Sequence, residues 1–459
     1  MRPTIGSTED GDRALRERGL IDFVTRAVNA LPLLRAGALT WLASAESADP
    51  EWAQRFGVRT CSLEHQQGSR RDVRSCGIKA MKASLTPPAR AREDGQPPLL
   101  SATRPEVPRH WASLVARERE RPAPADLNDK TRMRAWFADR GLPVPAGEVV
   151  AAHSLSHPAL VRGLGSPFVA QRPVGSGGLG TYLVRSDAEL RAARAREPAA
   201  GDWLISEFLD GTALNFHGFV GMDGSVGVTR PSVQFAGLPA AGFEFGAYCG
   251  CDFQAPQRVS AIAMERARDA VERVGAGLAG RHYRGVFGVD LIVRGDSVAV
   301  LELNARPQSS TWLLGEIERS QGHIPLLNRH ALERQGRRTS GEHDPAPAPG
   351  VQLAVRHTGR TAEVTTAPRS GVYALDGDRL VWRRAGAGLL ECAEGECAAV
   401  GLPTRGAELE TGASLGMLVT ASAATGPDGK VLNDYGTRLT AAFRELFALS
   451  ARETEEAAG

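Results

Sequence analysis

Residues 300–311, VLELNARPQSST, place Glu302, Asn304 and Arg306 two apart in a run that otherwise reads as a buried strand. A period of two puts all three side chains on one face. Just upstream, FGVDLIV (287–293) and VAVLELN (298–304) are apolar runs joined by RGDS, which signals a hairpin. A three-residue loop, Gly295 to Ser297, sets Asp290 directly opposite Glu302, whereas a two-residue loop sends the two carboxylates to opposite faces. The odd-length loop is the expectation, so that Asp290, Glu302 and Asn304 converge. Two facing carboxylates without a cation repel each other and resist burial. Two acids and an amide suit a hard divalent cation. Mg²⁺ in particular needs only one or two protein carboxylates when phosphate oxygens complete its shell.

Working outward, SPFVAQRPVGSGGLGTYLVRS (166–186) reads strand, glycine-rich loop, strand. Gly175, Ser176, Gly177, Gly178 and Gly180 give a backbone that approaches a ligand closely and offers N–H groups to phosphate. No Gly-Lys-Ser/Thr follows and no helix opens there, so it is neither a Walker A loop nor a dinucleotide fingerprint. Earlier, LNDKTRMRAWFADRGLPVPAG (127–147) reads as a helix capped by Asn128 or Asp129. Met133, Trp136 and Phe137 form its apolar stripe, and Gly141 and Pro143 stop it.

The whole chain has 459 residues, too many for one core, and two to four domains are expected. The net charge of +2 gives no bulk reason to expect nucleic acid, and no apolar run approaches a membrane span. The N-terminus carries acids and lacks the apolar stretch of a signal peptide. Six cysteines are too few for a disulfide scaffold and point to reduced thiols in the cytoplasm; Cys249 and Cys251 lack the second pair a zinc site needs. Residues 33–64 read strand, helix, strand, the start of an α/β unit. The segment from about 66 to 100 reads as a mobile basic loop, whose Arg70, Arg71, Arg74, Lys79 and Lys82 could meet an anion. From 149 to 312 strands dominate, with helices near 187–197 and 257–280. HDPAPAPG (343–350) reads as a linker, followed by short β-type runs and a final helix around TRLTAAFRELFAL.

In combination, Lys130 at a helix start, the glycine hairpin, LISEFLDG and GVD…LELNAR resemble the ATP-grasp superfamily over most of residues 125–320. The resemblance implies an α/β (α+β) ATP-grasp fold: an N-terminal Rossmann-like domain (1–125), a two-lobed core (126–342) hinged near 206–211, and a β-rich lid (351–459). It implies ATP and Mg²⁺ as cofactors, two ions with Mn²⁺ as an alternative. Asp290, Glu302 and Asn304 take the metal positions, Lys130 contacts phosphate, and Ser206, Glu207, Phe208 and Leu209 read the base, with Glu207 at its amino group. Arg306 matches an arginine facing the reacting carboxylate or the transferred phosphate; Lys130 and Arg306 thus form the catalytic pair. Relatives carry a second phosphate lysine before the glycine loop; Gln171, followed by Arg172, stands there instead.

The expected reaction joins the carboxylate of an amino acid or small peptide to an amine through an acylphosphate, releasing ADP and phosphate, in a specialised metabolism setting. The expected partners are small-molecule acid and amine substrates, with no nucleic acid or membrane and a homodimer as the candidate assembly. Gln234 and Glu244, in a segment that borders the acceptor pocket of relatives, are the candidate substrate residues, and His357 reads as structural. Two alternatives stand beside this: a carboxylase of biotin or purine type, although no biotin-carrier motif is present, and a nucleotide-binding module without turnover.

Overall fold

The computed structural model describes residues 4–451 apart from 18, 47–49, 69, 72–77, 93–99, 104–106, 117–124, 176 and 341–343. Near the N-terminus, four parallel strands run in the order 59–62, 39–44, 20–24, 100–101. The strand Leu20–Val24, LIDFV, is buried at every position. A strand covered on both faces shows no apolar alternation, which is why it is hard to tell from a helix turn by sequence.

Much of the basic segment is not a free loop. Arg70–Arg71 pairs with Glu408–Leu409 of the C-terminal region. Arg71 is buried; its Nε lies 2.7 Å from Glu64, and it donates to the carbonyls of Gly401, Leu402 and Ser414. This guanidinium ties the N-terminal region to the C-terminal region rather than waiting for an anion; Arg74 lies outside the described residues. Removing one partner of a buried ion pair leaves the other charge desolvated. R71M is therefore expected to cost about 3 kcal/mol of stability, read as a lowered denaturation midpoint; a change under about 0.5 kcal/mol, the range of surface substitutions, would contradict it.

Residues 147–207 build a small antiparallel sheet in the order 147–151, 202–207, 168–171, 181–184. It packs on its own core, which includes Leu160, Phe168, Leu190 and Trp203. A helix, His157–Leu164, lies within the region read as strands. The larger sheet has eleven strands. It begins at Ser297–Asn304 and Gly285–Arg294, passes through Thr212–Val220, Ser232–Ala236 and Tyr248–Asp252, and continues into Val351–Arg356 and Ser414–Thr420. Sequence composition changes at 343–350, yet the sheet does not stop there, because Val351–Arg356 pairs with Tyr248–Asp252. The helix Ala261–Gly280 covers this sheet with Ala263, Ala267, Ala270, Val271, Val274 and Leu278, a helical apolar stripe. Among the described residues no helix is long and apolar enough to cross a membrane.

The expected hairpin is present with a different turn. Arg294 pairs with Ser297, so the loop has two residues, Gly295 and Asp296. The register then shifts between Asp290 and Leu291: Leu291 faces Val300, Asp290 faces Glu302, and Leu301 is left over. This bulge supplies the odd residue that the sequence reading assigned to the loop. The carboxylates still meet, for a different reason.

Candidate active site

Between the small sheet and the large one lies a cleft of about 460 Å³. Its floor is built from three adjacent strands. Asn215 pairs with Asp290, and Asp290 with Glu302. Asp290 is held from three sides: Oδ1 accepts from Asn215 Nδ2 (2.6 Å) and Gln234 Nε2 (2.7 Å), and Oδ2 accepts from Asn304 Nδ2 (3.2 Å). Burial, and after it the charge of Glu302, pushes the Asp290 carboxyl up to about 6. Lys130 Nζ stands 2.5 Å from Glu302 Oε1. Arg306 Nη2 donates to Asn304 Oδ1 at 2.8 Å. Lys130 arrives there because Asp129 caps its helix, accepting from the N–H groups of Thr131 and Arg132, which fixes the first turn against the cleft.

The donor set fits a hard cation. Among the described residues no group of three or more His, Cys, Asp or Glu side chains is placed to hold a metal. Two opposed carboxylates and an amide, beside a cleft with room for an oxygen-rich ligand, match what Mg²⁺ takes.

The roof is the glycine hairpin. Gly175, Gly177 and Gly178 line the cleft; Ser176 lies outside the described residues. Gly178, at φ 84°, approaches the loop of the opposite sheet so closely that a Cβ there would stand 2.2 Å from the Gly246 carbonyl oxygen. Gly180 is spent differently: its missing side chain leaves space for that of Arg172. Arg172 does not line the cleft. The alternation of its strand turns it to the outer face, where Nη1 is 2.9 Å from Glu197. Gln171, facing inward, lines the cleft and donates to Thr181 Oγ1 at 3.2 Å.

At the back wall Ser206, Glu207, Phe208 and Leu209 all border the cleft. The Glu207 carboxylate accepts from the Ala146 N–H at 2.7 Å, so one of its oxygens already serves the backbone. Of the two substrate candidates, Gln234 joins the floor through Asp290, while Glu244 does not line the cleft and lies exposed, 3.7 Å from Arg196. Its loop carries it outward into solvent. His357 is buried and bonded to the Arg360 carbonyl, away from the cleft.

Polar cleft residues that the sequence did not single out include Gln308, Arg134 and Lys430, and Asn215 supports the floor through its bond to Asp290. Asn215 Nδ2 also donates to Gln308 Oε1 at 3.0 Å. Gly288 is the signal for this contact, since a Cβ there would fall 1.7 Å from that same oxygen. Lys430 comes from the C-terminal region and pairs with Asp210 of the hinge.

A small antiparallel lobe folded over a larger sheet, with a glycine hairpin above and a carboxylate pair below, is the ATP-grasp architecture. Residues 127–310 match the family model described as the ATP-grasp domain, and the chain carries that domain. The chain is 32% identical over 212 residues to a formate-dependent phosphoribosylglycinamide formyltransferase of Burkholderia pseudomallei; the match takes in 43% of this chain and 48% of the relative. The chain thus spans about half the length of the curated relatives it matches. Among solved structures, a biotin carboxylase–ATP complex from Campylobacter jejuni superposes with a TM-score of 0.57 at 11% identity, over 94% of this chain and 92% of the other. An N5-carboxyaminoimidazole ribonucleotide synthetase from Thermus thermophilus gives 0.51 at 14%, over 87% and 93%. Likeness at that identity concerns the fold.

Proposed function

We propose that this protein is an ATP-dependent ligase that activates a carboxylate as an acylphosphate and joins it to an amine, releasing ADP and phosphate. The observation that carries the reading is the opposition of Asp290 and Glu302, with Asn304 and Lys130 beside them, on the floor of a cleft roofed by glycine-loop amides. A magnesium ion bound there would neutralise the triphosphate and the charge that builds during phosphoryl transfer. Lys130 and the N–H groups of Gly177 and Gly178 place further positive charge where the phosphoryl oxygens would lie. Arg306, held at the end of the same strand by Asn304, offers a fork to the acid. The chemistry is one of positioning and charge, so no nucleophilic side chain is assigned.

The acid is where two readings part. An amino acid or peptide is the first. The named activity of the Burkholderia relative favours a second, in which the acid is as small as formate; bicarbonate is the equally small acid of the carboxylase alternative. Purified protein with ATP and Mg²⁺ separates them by phosphate release. Release that requires an amino acid with an amine supports the first reading, and release that requires formate or bicarbonate supports the second. ATP binding without release under any acid defeats both.

The raised Asp290 carboxyl gives a pH prediction. A cation is held by the ionised form, and below about 6 the proton competes for the site. Affinity for Mg²⁺·ATP is expected to rise as pH climbs from 5 toward 6, by up to about tenfold per unit, and to level off above. Calorimetric titration across pH 5–7.5 checks this, and D290N should flatten the profile. A wild-type affinity that is constant from pH 5 upward removes Asp290 from the ligand set.

A further inference from the structure

Arg134 lies one helical turn beyond Lys130 on the same face and lines the cleft. It is buried, 9% exposed, and among the described residues it has no carboxylate partner. Nη1 donates to the Pro145 carbonyl (2.9 Å) and Ser206 Oγ (3.2 Å), both neutral, while Nε is buried without a partner. Burial alone draws its pKa down, to about 10, with no anion to offset the loss of water. The other cleft ammonium groups are committed: Lys130 to Glu302, Lys430 to Asp210. On the opposite wall Gln171 brings no charge.

A desolvated guanidinium with neutral partners is costly to keep, and an apolar side chain in its place would stabilise the free protein. A cation retained at such cost in the wall of a cleft is the mark of a site prepared for an anion. Its position says which one. Lys130 marks the end of the cleft where Asp290 and Glu302 stand, and Ser206 opens the hinge that borders the other end. Arg134 sits between them, touching the hinge through Ser206. A nucleotide with its terminal phosphates at the carboxylate pair and its base at the hinge has its α-phosphate in that middle stretch.

Resting on the nucleotide reading above, we infer that Arg134 is a nucleotide-binding residue whose guanidinium donates to the α-phosphate, supplying the second fixed cation of the phosphate site.

The test measures binding and apo stability together. In R134M, which keeps length and removes charge, affinity for Mg²⁺·ATP and for AMP is expected to fall roughly 10- to 100-fold, while adenosine binds as it does to the wild type. The melting temperature without nucleotide should stay level or rise. R134K, which keeps a point charge and loses the fork, should fall in between, and it carries the test alone should R134M fail to fold. Unchanged ATP affinity in R134M overturns the assignment. So does an equal weakening for adenosine, which would place the contact on the base or sugar. A fall of many degrees in apo melting of R134M, with R134K restoring stability and full wild-type affinity together, makes Arg134 a structural peg for Pro145 and Ser206. Wild-type protein that binds none of the three probes fails differently: it removes the nucleotide site itself and this assignment with it.

Discussion

Glu302→Gln is expected to lower ATP-dependent phosphate release by about three orders of magnitude, because several kcal/mol of transition-state charge stabilisation pass through this carboxylate. The folded state should be little affected. Glu302 is opposed to Asp290, so neutralising it removes a repulsion that contributes to the raised Asp290 pKa. Against that, Lys130 Nζ loses the ion pair at 2.5 Å and keeps only an amide to donate to. These effects have opposite signs and act within one contact, and the expected change in melting temperature is within a few degrees. Activity is measured as phosphate release with saturating ATP, and integrity as the thermal midpoint of the same sample. A variant that melts like the wild type and keeps more than a tenth of its rate would show that Glu302 is not a ligand in the reaction. The result would then leave Asp290 as the sole acid of the floor, and the opposed carboxylate pair would no longer carry the proposed function.

What the sequence discloses and what it hides divide along a physical line. Side-chain period is printed in the sequence: Asp290, Glu302 and Asn304 read as one polar face, and the structure sets them within reach of one another. The capped helix of Lys130 and the glycine hairpin were legible for the same reason, since caps and φ > 0 positions demand particular residues. Backbone irregularity is not printed that way. The bulge at Leu301 changes no residue type, so the sequence reading had to put the odd residue in the turn. Contacts across long separations were also silent. Gln308 crosses over Gly288, and Lys430 reaches the hinge from more than two hundred residues away. Arg134 received no role from the sequence, because nothing in its neighbours says that Pro145 and Ser206 cover it. Glu244 and Arg172 erred in the opposite sense: each lies close in sequence to cleft residues and turns away from them, to Arg196 and Glu197.

Lys130→Met tests the charge balance of the floor from the other side. The wild-type cluster holds two carboxylates and one ammonium, with Lys130 itself 8% exposed. Deleting the ammonium leaves Asp290 and Glu302 facing each other, and the Asp290 pKa should move further up from about 6. Two effects follow. Nucleotide affinity should drop about 100-fold, the cost of losing one fully desolvated partner for phosphate, near 3 kcal/mol. Stability of the nucleotide-free protein should also fall at neutral pH, and here the sign is the reverse of the usual acid. A carboxyl whose folded pKa lies above its unfolded value binds its proton more tightly when folded. Its contribution is therefore present at low pH and lost as pH rises through the folded value. K130M should consequently melt well below wild type at pH 7.5 and close much of that gap near pH 5.5, where a proton takes the place of the ammonium. Thermal midpoints of both proteins at the two pH values, with ATP titrations at pH 7.5, provide the measurement. If the midpoint difference is the same at both pH values, the carboxylates do not share the buried site. If ATP affinity also survives, the ammonium does not face the phosphates, and the floor built by Asp290, Glu302 and Lys130 is a structural cluster beside an empty cleft.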